Sequence, residues 1–316
     1  MSTTTAPSRA TRSPAKDDRP EVSDRARAEN RLGRRLVAPA VVLMLIVTAF
    51  PMLRAIYLST FDYALTAPEE KDFVGIGNYV TALTDPLFWQ TTGVTVLYMV
   101  VTVAVELVIG FVFAMVMHRV VFARGIIRTS ILIPYGIITV VSGFAWQFAF
   151  SFQNGFVNDW LPFISSDFNW FGDTTPAVIA IMISEIWKTT PFMSLLLLAG
   201  LAQVSEDMIE AAKVDGATWW QRLTKVILPN MRAAIMVAVL FRALDAYRIF
   251  DNIFVMTAGA VKTESISFLT YRQTIEQFQL GMGSALSVLL FASVLLVAFI
   301  IVKLFRVDLA QARQEA

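Results

Sequence analysis

Three long stretches of this chain carry no charge at all: 36–53, 129–158 and 277–302. Each is about as long as the roughly 20 residues that a helix needs to cross a bilayer. Between them lie three further apolar stretches, each interrupted by a few charges. Together they predict six transmembrane helices, over about 36–57, 92–117, 128–151, 176–202, 233–257 and 282–305. Hydropathy alone scores spans two, four and five lower, because they hold Glu106, Glu185 with Lys188, and Arg242, Asp245, Arg248 and Asp251. The fold class is an all-α polytopic membrane protein. No internal repeat is apparent, which weakens a transporter built from duplicated halves.

The polar segments set the orientation. The loop 118–128 holds Arg119, Arg124 and Arg128 and no acid. The loop 59–91 instead sets Asp62, Glu69, Glu70, Asp72 and Asp85 against Lys71 alone, and 152–175 has no Lys or Arg. Lys and Arg favour the cytoplasmic side, so both termini are expected inside, with 203–232 (Lys213, Arg222, Lys225, Arg232) inside as well. Trp160, Phe168, Trp170 and Phe171 suit the outer interface. Residues 1–35 hold nine basic and five acidic side chains and few large apolar ones. They are expected as a disordered cytoplasmic tail, too long and too acidic for a cleaved signal peptide. Residues 307–316 form a second cytoplasmic tail.

Composition narrows the function. Apolar residues make up 56% of the 316, above the roughly 45–50% of soluble proteins, and mean hydropathy is +0.61. A net charge of +1 gives nucleic acid no support. With no cysteine and one histidine, His118, neither a disulfide framework nor a Cys/His metal site is expected. His118 reads as an interface residue at the end of span two.

The charges inside spans fall near one depth. Glu106, the segment 185–191 and the segment 245–248 each lie near the middle of a span. Charges at this depth are costly and face a cavity or a partner. Glu185 and Lys188 are spaced for local pairing, Pro191 for a bend, and Arg242, Asp245, Arg248 and Asp251 for alternating i,i+3 contacts. A sugar needs paired hydrogen-bond donors and acceptors beside a flat apolar surface. Trp187, Lys188, Asp245, Tyr247, Arg248, Asp251 and Asn252 supply both and are the candidate substrate path. Glu106, Gln147, Glu185 and Arg242 serve either as braces or as path. Gly281 and Gly283 with Ser284 suggest tight packing of span six.

The loop 203–232 carries the sharpest pattern. Ser205 is placed to cap a helix whose first turns are acidic, Ala211 and Ala212 keep one face thin, and Gly216 permits a sharp turn. Trp219, Trp220, Leu223 and Ile227 give a second short helix an apolar face, which Pro229 is expected to end. Glu210, Ala211, Ala212 and Gly216, followed after nine residues by Val226 and then Leu228-Pro229, match the E-A-A loop of permease subunits in binding-protein-dependent ABC importers. The segments 124–125, 133–134, 187–192, 250–254 and 283–287 resemble the carbohydrate-uptake branch of that family, and the resemblance covers about 36–306.

This resemblance implies a type I ABC importer permease in the cytoplasmic (inner) membrane, importing a disaccharide, with trehalose favoured. It implies coupling to an ATPase through Glu210, Ala211, Ala212, Asp215, Gly216, Leu228 and Pro229. The implied partners are a second permease subunit, two copies of a cytosolic ATPase and an extracytoplasmic sugar-binding lipoprotein or soluble receptor, within membrane lipid. No G-x-x-x-x-G-K-[ST] sequence is present, so ATP and Mg belong to the partner ATPase and this chain is not expected to be an enzyme. Two readings compete: a proton-coupled secondary transporter using the midplane carboxylates, and an intramembrane enzyme, for which no metal set or nucleophile elbow is found.

Overall fold

The computed structural model describes residues 24–120, 123–161, 165 and 167–305. The chain divides at Leu53/Arg54 into two compact units.

The first unit is most of helix α1 (Asp24–Leu58). The expected disordered tail of 1–35 is therefore helical from Asp24 on. Its Ala, Arg, Glu and Leu residues are good helix formers, and they extend the apolar helix backward. Residues 1–23 and the C-terminal tail at 307–316 lie outside the described residues.

The second unit opens with a small antiparallel hairpin, β1 (Phe61–Tyr63) and β2 (Lys71–Phe73), paired Phe61↔Phe73 and Tyr63↔Lys71. The all-α expectation missed it. Lys71 Nζ lies 4.3 Å from the Phe61 ring centroid and 4.7 Å from that of Tyr57, a cation–π contact that ties the hairpin to the preceding helix. Helices α2 (Gly77–Thr84) and α3 (Pro86–Arg119) follow. Asp85 starts α3 by accepting the Leu87 N–H at 2.8 Å, with Pro86 at the first helical position.

The third apolar stretch is two helices, not one. α4 (Arg124–Gly136) and α5 (Thr139–Ala149) meet at 88°. Pro134 removes a backbone donor, and Ile137 is extended (φ −78°, ψ 137°), so the ladder stops there. After α6 (Val157–Trp160), α7 (Thr174–Leu201) runs without a break through Pro191. The polar loop forms α8 (Glu206–Val214), α9 (Trp219–Arg222), a π-helical turn (Leu223–Ile227) and α10 (Leu228–Asn230).

The fifth stretch is also divided, into α11 (Arg232–Ala246) and α12 (Asp251–Met256). α13 (Ile266–Tyr271), a π-helical turn (Arg272–Glu276) and α14 (Leu280–Phe305) complete the described chain. Among the described residues, four helices are long and apolar enough to span a membrane, or six if each of two bent pairs, 124–136 with 139–149 and 219–230 with 232–256, is one span.

Small residues set the packing. α3 and α7 form the most extensive helix pair. A β-carbon at Gly110 would sit 2.9 Å from Met193 Cγ, so the glycine fixes how closely α3 approaches α7. A β-carbon at Gly281 would strike the Phe61 carbonyl oxygen, and one at Gly283 the Thr274 hydroxyl. The first turn of α14 can lie against the hairpin and the π-turn only as glycine, as its sequence suggests. The α3–α7–α11 core includes Met193, Leu197, Met231, Ala238 and Ala243.

Candidate functional site

Two breaks in helical backbone open a polar cavity of about 430 Å³. The first is the α4/α5 corner, whose freed Ile137 carbonyl accepts a hydrogen bond from Lys188 Nζ at 2.8 Å. The second separates α11 from α12, where Phe250 (φ −141°, ψ −58°) leaves helical geometry. Broken helices in a membrane protein are tolerated where they line a cavity. Glu185, Lys188, Asp245, Arg248, Asp251 and Asn252, all singled out from the sequence, line it together. Tyr135, Thr139, Thr189, Ile249 and Phe250 also line it and were not anticipated. The Tyr135 ring stacks on Phe192 at 5.4 Å, and Lys188 Nζ lies 5.6 Å from its centroid.

One wall is braced from beneath by a buried ionic cluster. Arg242 on α11 is fully buried, as is Glu106 on α3. Arg242 Nε and Nη2 donate to the two Glu106 oxygens at 2.5 and 2.8 Å. Nη2 also reaches Glu185 on α7 at 3.4 Å, and Nη1 donates to Asp245. Thr189 donates to Glu106 at 2.7 Å, and Asn252 Nδ2 donates to Glu185 at 2.6 Å. Three helices are thereby cross-linked at one level, and the guanidinium fork fits the bidentate geometry. Glu106 and Arg242 are braces in this arrangement. Glu185 and Asp245 each have one side in the cluster and one in the cavity.

Several expectations need correction. Glu185 and Lys188 do not pair: each is drawn to another helix. The i,i+3 series on span five holds only for Arg242 and Asp245, because Arg248 and Asp251 lie beyond the end of α11. Trp187 is outside the polar cavity. It meets Trp146 edge-on at 5.7 Å and lines an apolar hollow with Pro134 and Pro191. Tyr247 is only 2% exposed and packs in a core with Ile266, Leu269 and Leu286. Gln147 donates to the Val255 carbonyl at 2.9 Å and joins α5 to α12. Among the described residues, no group of three or more His, Cys, Asp and Glu side chains is placed to hold a metal ion.

The polar loop turns where the sequence suggests, with different caps. Gly216 has φ +78°. Its N–H donates to Lys213 O at 3.0 Å while that of Ala217 donates to Ala212 O at 2.9 Å, closing α8 in a Schellman motif. A β-carbon at Gly216 would meet nothing within 4 Å, so the glycine answers to backbone conformation alone. Ser205 occupies the N-cap position of α8 without a side-chain cap bond. Thr218 and Gln221 make the reciprocal capping box, opening α9. Pro229 does not end the helix. The Leu228 N–H reaches back five residues to Leu223 O, a π-turn just before the proline, and the 70° bend comes after Asn230. Glu210, Ala211, Asp215 and Pro229 are exposed, while Ala212 and Leu228 are half-buried.

The sequence pattern of the binding-protein-dependent transport system inner membrane components matches residues 106–311. The chain belongs to that family. Like its relatives, this permease is a membrane subunit, and the ATPase of such a system is a separate chain. It is 49% identical over 278 residues to the trehalose transport system permease protein SugA of Mycobacterium tuberculosis, covering 88% of this chain and 90% of that one. It is 36% identical over 281 residues to the trehalose/maltose transport system permease protein MalF of Thermococcus litoralis, covering 88% and 95%. A chain of a bacterial ABC transporter that imports the acidic polysaccharide alginate shares the fold, with a TM-score of 0.75 at 21% identity over 88% of this permease and 96% of that chain.

Proposed function

We propose that this permease forms half of the translocation path of an ATP-driven sugar importer. It crosses the cytoplasmic membrane six times with both termini inside, α4–α5 being one broken span and α11 with α12 the fifth. The cargo is a disaccharide, trehalose first, as the relationship to SugA supports. The observation that carries this reading is the polar cavity. It sets two cations and three carboxylates beside Tyr135 and Phe250, which supplies hydroxyl donors, hydroxyl acceptors and flat ring faces together. Its volume lies within the range of about 300–1,000 Å³ usual for small-molecule sites. The mixed charge favours a neutral polyol over an anion.

The exposed α8–α9 loop seats on one of two cytosolic ATPase subunits, with Glu210 in its groove. ATP and Mg are bound there. ATP-driven closure of the ATPase pair moves the spans as packed bodies. A second permease completes the path, and an extracytoplasmic sugar-binding receptor delivers the cargo. The proton-coupled alternative gains nothing from the cluster, because Arg242 already engages Glu106, Glu185 and Asp245.

The test is the ATPase activity of the purified complex with its receptor, across a panel of disaccharides, amino acids and metal ions. Stimulation by trehalose or a close disaccharide is expected. Stimulation by amino acids or metal ions alone overturns the assignment.

A further inference from the structure

The breaks at Ile137 and Phe250 leave the two short helices beyond them paired. α5 and α12 pack chiefly on each other. Gln147 on α5 donates to the Val255 and Met256 carbonyls of α12 at 2.9 and 3.3 Å, and a β-carbon at Gly143 would lie 3.2 Å from Val255 Cβ. The lining of the polar cavity is divided accordingly. Thr139, Asp251 and Asn252 sit on this pair, whereas Glu185, Lys188 and Asp245 sit on α7 and α11. Asn252 Nδ2 bridges the division, donating to Glu185 at 2.6 Å.

Beyond α12 the backbone is strained. Ala258, Val261 and Lys262 hold φ of +49°, +46° and +60°, around Gly259 at +74°. Positive φ is uncommon away from glycine and an outlier for β-branched valine. Such strain persists only where the surroundings impose it, and it collects at switching segments. The surroundings here are a fixed platform at 263–266. Tyr98 on α3 donates its hydroxyl to Thr263 O at 3.3 Å, and Thr95 Oγ1 accepts the Ile266 N–H at 2.9 Å. Glu264 pairs with Arg272 at 2.9 Å, and Ser265 Oγ donates to Ile249 O at 2.7 Å. Ile249 directly precedes the Phe250 break, so platform and break share an anchor. The Thr257 and Thr263 hydroxyls, 2.8 Å apart, join the end of α12 to the platform.

We propose that α5 and α12 move together as a lid on the polar cavity, hinged at Ile137 and Phe250 and sprung by the strained strap 258–262. The proposal rests on the importer reading and its orientation, in which α5 and α12 are the outer halves of their spans and the strap is extracytoplasmic. With the lid down, Asn252 meets Glu185 and Thr257 meets Thr263. Swinging it up parts Thr139, Asp251 and Asn252 from the groups on α7 and α11, and opens the cavity to the sugar. Both hinge residues flank helices and already lie outside helical geometry, where a change of φ and ψ is most readily absorbed. Relief of the strained φ angles offsets part of what the lost contacts cost.

The chain has no cysteine, so a single disulfide can be placed in it. Joint Thr257→Cys and Thr263→Cys substitution puts two thiols within reach of each other. The whole complex of both permeases, ATPase and receptor is reconstituted in proteoliposomes with ATP, and sugar uptake is read before and after oxidation. Oxidation should abolish uptake in the double variant and reduction should restore it, while the unsubstituted complex is indifferent to both. Val261→Gly tests the strap without a cross-link. Glycine adopts this φ freely, so the closed lid is stabilised: uptake should fall while the unfolding temperature rises. The proposal is overturned by uptake that survives the disulfide, by cysteines that do not cross-link, or by Val261→Gly uptake at the unsubstituted rate. Absence of sugar uptake by the unsubstituted complex overturns the importer assignment, and with it the lid.

Discussion

Arg242 grips both oxygens of Glu106, through Nε at 2.5 Å and Nη2 at 2.8 Å, although 136 positions separate them in the chain. Both side chains are fully buried. This pair joins α3 to α11 at the depth where α7 contributes Glu185. One wall of the polar cavity is thus backed by an ionic weld, which holds the groups that line it.

Removing one partner strands the other charge out of water. Glu106→Gln or Arg242→Met should each cost about 3–5 kcal/mol of stability. Thermal unfolding of the purified complex measures this. The joint substitution should cost less than the two single losses added, since no lone charge remains. Additive losses would show that the pair does not act as a unit.

The cavity-facing side chains should behave differently. Arg248→Gln and Asp251→Asn lie on exposed positions outside the weld. Each should lower receptor-dependent sugar uptake about tenfold, the scale of one lost charged hydrogen bond, with little change in unfolding temperature. Tyr247→Phe, in the apolar core, should transport at the unsubstituted rate. Uptake measured with radiolabelled sugar in vesicles separates the two groups.

Gly216 is held at φ +78° with open space around it. Gly216→Ala should therefore cost only about 1–2 kcal/mol locally, and uptake should fall in part. Gly216→Pro cannot adopt this φ at all. That variant and Glu210→Arg should abolish uptake while the permease still inserts and co-purifies with its partner permease. Normal transport in both would remove the coupling role from the loop.

The first turn of α14 offers a packing test. Gly281→Ala and Gly283→Ala place a methyl group against the Phe61 carbonyl and the Thr274 side chain. Each should destabilise the assembly by about 1–3 kcal/mol. Thermal unfolding of these variants, beside Gly93→Ala where nothing lies within 4 Å, shows whether the backbone approach is as close as described.

The sequence made some of this legible for physical reasons. The apolar runs announced helices, and the small residues of the polar loop announced a tight turn. Five charged residues within the apolar stretches, together with Asn252, line the cavity. The helix breaks were hidden because Ile137 and Phe250 are as apolar as their neighbours, and hydropathy does not register φ and ψ. That concealment misplaced Arg248 and Asp251 on a continuous helix. The partner of Glu106 was equally invisible, since nothing local marks a contact 136 residues away. Trp187 was assigned by residue type, but the ring turned toward Trp146 instead.

The most direct measurement is sugar accumulation in proteoliposomes holding the two permeases, with ATPase, receptor, ATP and proton gradient each supplied or withheld. Uptake is expected only when ATPase, ATP and receptor are all present, whatever the gradient. Accumulation driven by the gradient in vesicles without the ATPase would contradict the account.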